Sequence, residues 1–394
     1  MKRKKEISKM IRKIVKIIGL GFALLISAVL TLLVIGMFIP KLKFVGVMGT
    51  LASSFFLTDL WILALLIGGI SFLLMKRNKK KIHIAIFVLS AIAVIGFSFA
   101  IISLFHEART QKADISLLDS ITSFPSEGKP NMKKSLKYAT VDGKDLYVQI
   151  SEPQNSSEKE RTPIIMIHGG GYVSGERNHF PAWTEFFNER GYVVFDVDYR
   201  LATDTYHTWD KASADIASAI VWISQNAEKY DVNMDKLLIT GASSGGGLAL
   251  QVAYEISDGT LKAYLPGELS QPKAVIALYP AQELVELWEK GNKEYNTKYI
   301  GGSPEEYPKE YEALLPINHI TKNTPSTLIV AGESDHLVPY DTQDSLVTAL
   351  KKAGIHVDEV GLKYSEHSFD LAASSLQSQI ARGSVARFLD AYAK

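Results

Sequence analysis

A run of 23 residues without a charge, Ile17 to Ile39, constrains this chain more than any other feature. As a helix rising 1.5 Å per residue it reaches about 35 Å, enough for the ~30 Å hydrocarbon core of a bilayer. Inside such a core each backbone N–H and C=O must be satisfied within the chain, so the run has to be helical. A second uncharged run, Ile84–Phe105, has 22 residues, and Ser54–Met75 between them is apolar apart from Asp59 near one end. Three spanning helices are therefore expected, at about 17–39, 54–75 and 84–105. The stretch Phe44–Met75 is too short for two spans of roughly 20 residues each plus a turn. Phe44–Phe56 is left as a re-entrant or interfacial candidate. Asp59 reads as an interfacial residue at a helix end.

Charge divides the chain at the same place. The whole carries 43 Lys+Arg against 42 Asp+Glu, a net +1, but residues 1–106 hold 15 of the cations and only two acids, Glu6 and Asp59. That part is +13 and the remainder is −12. The basic residues flank apolar runs and form no surface stripe with aromatics, which argues against a nucleic-acid partner. Short loops rich in Lys and Arg stay in the cytoplasm. Eight such residues precede the first span, two (Lys41 and Lys43) follow it, and five (Lys76, Arg77, Lys79, Lys80 and Lys81) follow the second. This predicts a cytoplasmic N-terminus, a multi-pass cell-membrane anchor over 1–106 and an extracytoplasmic C-terminal domain. The chain has no cysteine, which excludes disulfides, thiolate metal sites and a Cys nucleophile.

Residues 107–133 are polar and mixed, and read as a juxtamembrane helix, Glu107–Ile121, followed by a linker. From 134 to 394 short apolar strands alternate with helical segments. Ser135–Val141 and Asp145–Ser151 flank Asp142-Gly143, a hairpin signal. Ile164–Ile167, Tyr192–Val197, Leu237–Thr240, Ala274–Leu278, Thr327–Ala331 and Val357–Leu362 are further strands. Helices are expected over Ala212–Tyr230, Gly247–Ile256, Asp341–Ala353 and Gln377–Tyr392. The pattern predicts an α/β fold: a mostly parallel sheet with helices on both faces and an antiparallel edge.

Chemistry concentrates where strands end. Gly241-Ala242-Ser243-Ser244-Gly245 fits G-x-S-x-G between a strand and a helix, the setting in which a sharp turn exposes a nucleophilic serine. The register selects Ser243, since Ser244 would need glycine at Ala242. His168-Gly169-Gly170-Gly171-Tyr172 follows another strand and offers unobstructed N–H groups. Gly170 and Gly171, joined by Ser244, are the expected oxyanion hole. His168 itself reads as structural. Asp335, in Gly332-Glu333-Ser334-Asp335-His336, and His367, after the last strand, complete the set. A serine hydroxyl needs a base, and the base needs an orienting carboxylate. Glu333 competes with Asp335 but sits nearer the strand. His336 adjoins the acid, and His207 and His319 read as packing or surface residues. No metal site is indicated, because no H-E-x-x-H or similar cluster appears. The order Ser243, Asp335, His367 is the order of the α/β-hydrolase fold.

These motifs resemble the hormone-sensitive-lipase-like branch of α/β-hydrolase carboxylesterases and the nearby bacterial feruloyl-esterase-like carboxylesterases. The matching pieces are H-G-G-G-Y (168–172), D-Y-R-L (198–201), G-A-S-S-G-G (241–246), P-I-N-H-I (316–320), G-E-S-D-H-L-V-P (332–339) and H-S-F (367–369). The resemblance covers roughly residues 135–392 and implies the same triad and oxyanion hole. Ala242, Ser244 and Ala202-Thr203 depart from the family pattern, and the three spans lie outside it. The expectation is a membrane-anchored serine carboxylesterase without cofactor, acting on a small-molecule or glycan-linked ester. Acyl transfer to a surface glycan would use the same residues. A binding or sensory protein on a hydrolase scaffold would not need the complete triad. The aromatic-rich stretch from Ala281 to Pro316 is expected to cover the site.

Overall fold

The computed structural model describes residues 2–78, 80–121, 128–133, 135–154 and 159–392. The chain divides into two compact units. One takes Met1–Thr110, Asp114–Pro125 and Lys363–Gln379; the other takes Gln111–Ala113, Ser126–Leu362 and Ile380–Lys394.

The first unit contains α1 (Lys2–Phe38), α2 (Lys43–Arg77) and α3 (Lys81–Gln111). All three are long and apolar enough to cross a membrane. Their burial pattern is the inverse of a water-soluble bundle. Phe22, Leu25, Ile95 and Ile102 point outward, whereas Ser27, Thr50, Ser53, Ser54 and Ser90 are fully buried. Lipid tails are as apolar as leucine, so helices in a bilayer associate through small residues and interhelical hydrogen bonds. Here the Ser27 and Ser90 hydroxyls lie 2.9 Å apart, and Thr31 Oγ1 donates to the Leu89 carbonyl at 3.0 Å. Trp61 Nε1 donates to Ser98 Oγ at 2.9 Å.

Helix α2 is broken at Phe56 (φ −134°, ψ 15°). One hydroxyl before the break bonds back to its own helix, Ser54 Oγ donating to Thr50 O at 2.9 Å. Such back-bonding competes with the helical ladder and bends it. The residues after the break, 57–77, form about 31 Å of helix. They suffice for a span, and Phe44–Phe56 is helix joined to it through the break. Beyond the third span one expectation fails. Glu107–Gln111 continues α3, since nothing between Phe105 and Gln111 breaks a helix, and Lys112 ends it at φ 54°. Leu117–Ser120 make a turn, so no separate juxtamembrane helix forms. The expected linker lies partly in residues 122–127, outside the described residues.

The second unit is built on one eight-stranded sheet: β1 (Leu136–Val141), β2 (Lys144–Ser151), β3 (Pro163–Ile167), β4 (Val193–Val197), β5 (Leu238–Ala242), β6 (Ala274–Leu278), β7 (Ser326–Gly332) and β8 (Val357–Leu362). Their order is β1-β2-β4-β3-β5-β6-β7-β8. β1 and β2 pair antiparallel, as do β2 and β4, and every other pairing is parallel. Strands β3 to β6 are buried at every position, as apolar strands covered on both faces must be. Asp142 (φ 51°) and Gly143 (φ 73°) turn the edge hairpin in the left-handed conformation that a two-residue loop needs.

The helices are α4 (Pro181–Asn188), α5 (Ala212–Gln225), α6 (Ser244–Asp258), α7 (Leu284–Glu289), α8 (Lys293–Ile300), α9 (Pro308–Ala313), α10 (Asp344–Lys352) and α11 (Leu376–Tyr392). Helix α5 stops at Gln225, and Glu228–Tyr230 form a separate 3₁₀ turn where one continuous helix was expected. After β3 the chain moves outward to β4 and then returns to β5 on the other side. This reversal opens a crevice at the carboxyl ends of β3 and β5, the place where open α/β sheets bind ligands.

Candidate active site

Ser243 sits in that crevice, between the end of β5 and the start of α6. Its φ of 57° and ψ of −123° are a conformation that L-residues avoid. Such strain costs on the order of 1–3 kcal/mol and persists only when the surroundings over-determine it. Three backbone hydrogen bonds do so. Ser243 N–H donates to Leu278 O at 2.9 Å, and Ser243 O accepts from Gly247 and Ala281, both at 3.0 Å. At about 1 kcal/mol each these bonds offset the strain. The neighbouring strand β6 thus holds the turn in place.

The loop after β3 lies directly on this turn. A methyl group at Gly169 would come within 3.2 Å of Ser243 Cβ. Gly170, Gly171 and Tyr172 follow with φ of 119°, 62° and 67°, a run of positive φ that favours glycine at the first two positions. Ser244 N–H opens α6, so it has no acceptor within the helix.

The other shared motifs buttress the same loop. His168 stacks on Tyr199, ring centres 4.3 Å apart, and Tyr199 Oη donates to His168 O at 3.0 Å. Burial lowers the His168 pKa from 6.5 to about 4, so the ring stays neutral under the glycines. It is structural, as the sequence suggested. Arg200 is fully buried and makes paired bonds to Asp215 on α5, Nε to Oδ2 and Nη2 to Oδ1, both 2.8 Å. Its third nitrogen reaches Asp142 in the edge turn. Removing one member of such a buried pair leaves the other charge uncompensated, at a cost of about 3–5 kcal/mol. Tyr199 of D-Y-R-L thus braces the glycine loop, and Arg200 ties the edge turn to α5.

The stretch from Ala281 to Pro316, expected to cover the site, folds as α7, α8 and α9. It packs on the glycine loop. Tyr299 stacks on Tyr172 at 3.8 Å, and Tyr172 Oη donates to Ala281 O at 2.9 Å. A methyl group at Gly171 would meet the Tyr295 ring at 2.4 Å, and Tyr295 keeps 39% of its surface exposed. Tyr295 is therefore an accessible aromatic wall against the loop.

Asp335 follows β7, two strands from β5, or about 10 Å across the sheet. It is buried, and its Oδ1 accepts from Leu337 N at 2.9 Å and Val338 N at 2.8 Å. These bonds fix its rotamer. Glu333 and His336 are exposed. His367 lies on the turn after β8, half-buried, between Tyr364 (φ 57°) and Ser368 (φ 56°). Ser243 and Asp335 belong to the second unit, and His367 to the first. His207 and His319 are occupied elsewhere: His207 Nδ1 lies 2.8 Å from Lys298 O, and His319 Nδ1 lies 2.6 Å from Asp258 Oδ2.

Comparison with known proteins agrees with this fold. The family model BD-FAE matches residues 148–350, just over half of the chain. Among curated proteins, the chain is 25% identical over 219 residues to esterase LipC of Mycobacterium tuberculosis, covering 53% of each chain. It is 26% identical over 261 residues to esterase LipQ of the same organism, covering 63% of this chain and 59% of that one. The chain thus spans somewhat over half the length of these relatives. Among solved structures it is similar to Thermogutta terrifontis esterase 2. The apo form is 28% identical with a TM-score of 0.56, over 68% of this chain and 97% of that one. That esterase has also been solved with propionate bound, with butyrate bound and phosphorylated by paraoxon. Strand order, strained serine turn and family match converge: the chain belongs to the BD-FAE family, on the α/β-hydrolase fold of carboxylesterases.

Proposed function

We propose that this protein is a membrane-anchored serine carboxylesterase. Ser243 is the nucleophile, His367 its base, Asp335 the orienting acid, and Gly170, Gly171 and Ser244 the oxyanion hole. The observation that carries the reading is the strained turn at Ser243, set directly against the glycine loop. His367 takes the Ser243 Oγ proton as Oγ attacks the ester carbonyl carbon. The carbonyl oxygen becomes an oxyanion held by the three N–H groups. Collapse expels the alcohol, which takes the proton from His367 and leaves an acyl-enzyme. Water, deprotonated by His367, then releases the acid and regenerates Ser243. Ala281–Pro316 narrows the acyl side. The exposed Tyr295 ring against Gly171, with propionate and butyrate bound to the similar esterase, supports a preference for short acyl chains. The anchor holds the N-terminus in the cytoplasm and this domain outside.

The test is the acyl-chain profile of the full-length protein in detergent on p-nitrophenyl esters. Acetate to butyrate should be hydrolysed faster than octanoate and longer, and Ser243→Ala should lower kcat by roughly 10⁴-fold or more. Activity unchanged by that substitution would remove the reading. A sugar hydroxyl that outcompetes water for the acyl group would convert it to a transferase.

A further inference from the structure

The segment carrying His367 is embraced by the N-terminal helices. Thr50 Oγ1 donates to Glu366 Oε2 at 3.1 Å, and Glu366 N–H donates to Ser54 Oγ at 2.8 Å. One turn of α2 thereby grips both the backbone and the carboxylate of the residue next to His367. Further along, Gln377 Nε2 donates to Ser53 O at 3.2 Å. Gln379 exchanges two bonds with the backbone of Ser116, 2.6 Å to its N–H and 3.0 Å to its carbonyl. On the other side of His367, the Tyr364 ring packs edge-on against Phe38 at 5.3 Å, and Lys363 N–H reaches Glu107 Oε2 at 3.4 Å. Thr50, Ser53 and Ser54 are completely buried, and Glu366 is only 5% exposed. Every partner named here lies in the first unit.

An ordinary membrane anchor needs none of this. A tether holds a domain near a surface through a linker and does not hydrogen-bond to a catalytic turn. The half of α2 before the break at Phe56 is also not needed to cross a bilayer, because 57–77 already reach about 31 Å. Its hydroxyls therefore have a second use. We propose that the first half of α2 is a positioning element for catalysis, with Thr50 and Ser54 fixing Glu366 and so setting the reach of His367. Thr50, Ser54 and Glu366 are positioning residues, since they act through His367. The proposal rests on His367 being the catalytic base.

The test uses full-length protein in detergent micelles. Thr50→Val keeps the shape of the side chain and removes its hydroxyl; Ser54→Ala removes the acceptor of the Glu366 N–H. A base displaced by about an ångström loses roughly 10²-fold in rate. The double variant should therefore lose about that much in kcat with KM unchanged, while Thr50→Ser with Ser54→Thr, which keeps both hydroxyls, should recover most of it. Elution volume and melting temperature establish that each variant is folded. If the double variant fails to fold, the same kcat and KM comparison is made on Thr50→Val alone against Thr50→Ser. Wild-type kcat in the hydroxyl-free variants, with Ser243→Ala inactive, would overturn the positioning role and leave the active site standing. Activity that survives Ser243→Ala would instead overturn the reading of the site on which the proposal depends.

Discussion

Ser243 shows how a single residue's backbone carries information about chemistry. Its left-handed φ is tolerated because Leu278, Gly247 and Ala281 hold the turn on both sides. It was legible because flanking glycines and a preceding apolar strand are local features, readable in five letters. Spacing favours Asp335 over Glu333 as the candidate acid, and the two differ in setting: Asp335 is enclosed with two N–H partners, and Glu333 is exposed. The grip of Thr50 on Glu366 was not legible: the two are 316 residues apart, and hydroxyls in an apolar helix read only as packing between helices. His168 makes a prediction about pH. Its folded pKa of about 4 lies below the ordinary 6.5, so the folded state binds fewer protons than the unfolded state between those values. Stability should be fully present above pH 6.5 and fall by up to about 3 kcal/mol as pH drops toward 4. His168→Asn should therefore lose less melting temperature than the parent between pH 7 and pH 4.5. Equal losses would contradict the buried neutral imidazole.

At the scale of elements, all eight strands were expected within a residue or two, because buried parallel strands are short apolar runs set between turn residues. The misses were among the helices: α4 was not named, and two helix ends were misplaced. Helix α3 runs through the polar residues Glu107–Gln111, and α5 stops short of Tyr230. In the first case no residue before Lys112 breaks the helix, and polarity alone does not end one. The three short helices of Ala281–Pro316 read as a loop because each is too short to show periodicity. The membrane helices make a prediction of their own. With no native cysteine, single introduced thiols report topology without background. Lys80→Cys, between α2 and α3, should resist a membrane-impermeant maleimide in intact cells, and exposed Lys273→Cys should react. Labelling of Lys80→Cys and protection of Lys273→Cys would reverse the orientation.

For the whole molecule, a net charge of +1 conceals a basic, apolar part and an acidic hydrolase part. The two are not simply strung along the chain. Lys363–Gln379, with His367, belongs to the unit formed by the N-terminal helices, and Ser243 and Asp335 belong to the other. Sequence order alone suggested an anchor followed by a self-contained enzyme. That picture misses the interleaving, since chain order does not encode which segments pack together. The central claim is that Ser243 is the reactive nucleophile of a carboxylesterase. Its most direct measurement is peptide mass spectrometry of the full-length protein after treatment with paraoxon, which phosphorylates the similar esterase 2. The account predicts one diethyl phosphoryl group, on the peptide containing Ser243, with loss of ester hydrolysis in proportion to labelling. Stoichiometric labelling at another residue, or full hydrolysis with Ser243 modified, would contradict it.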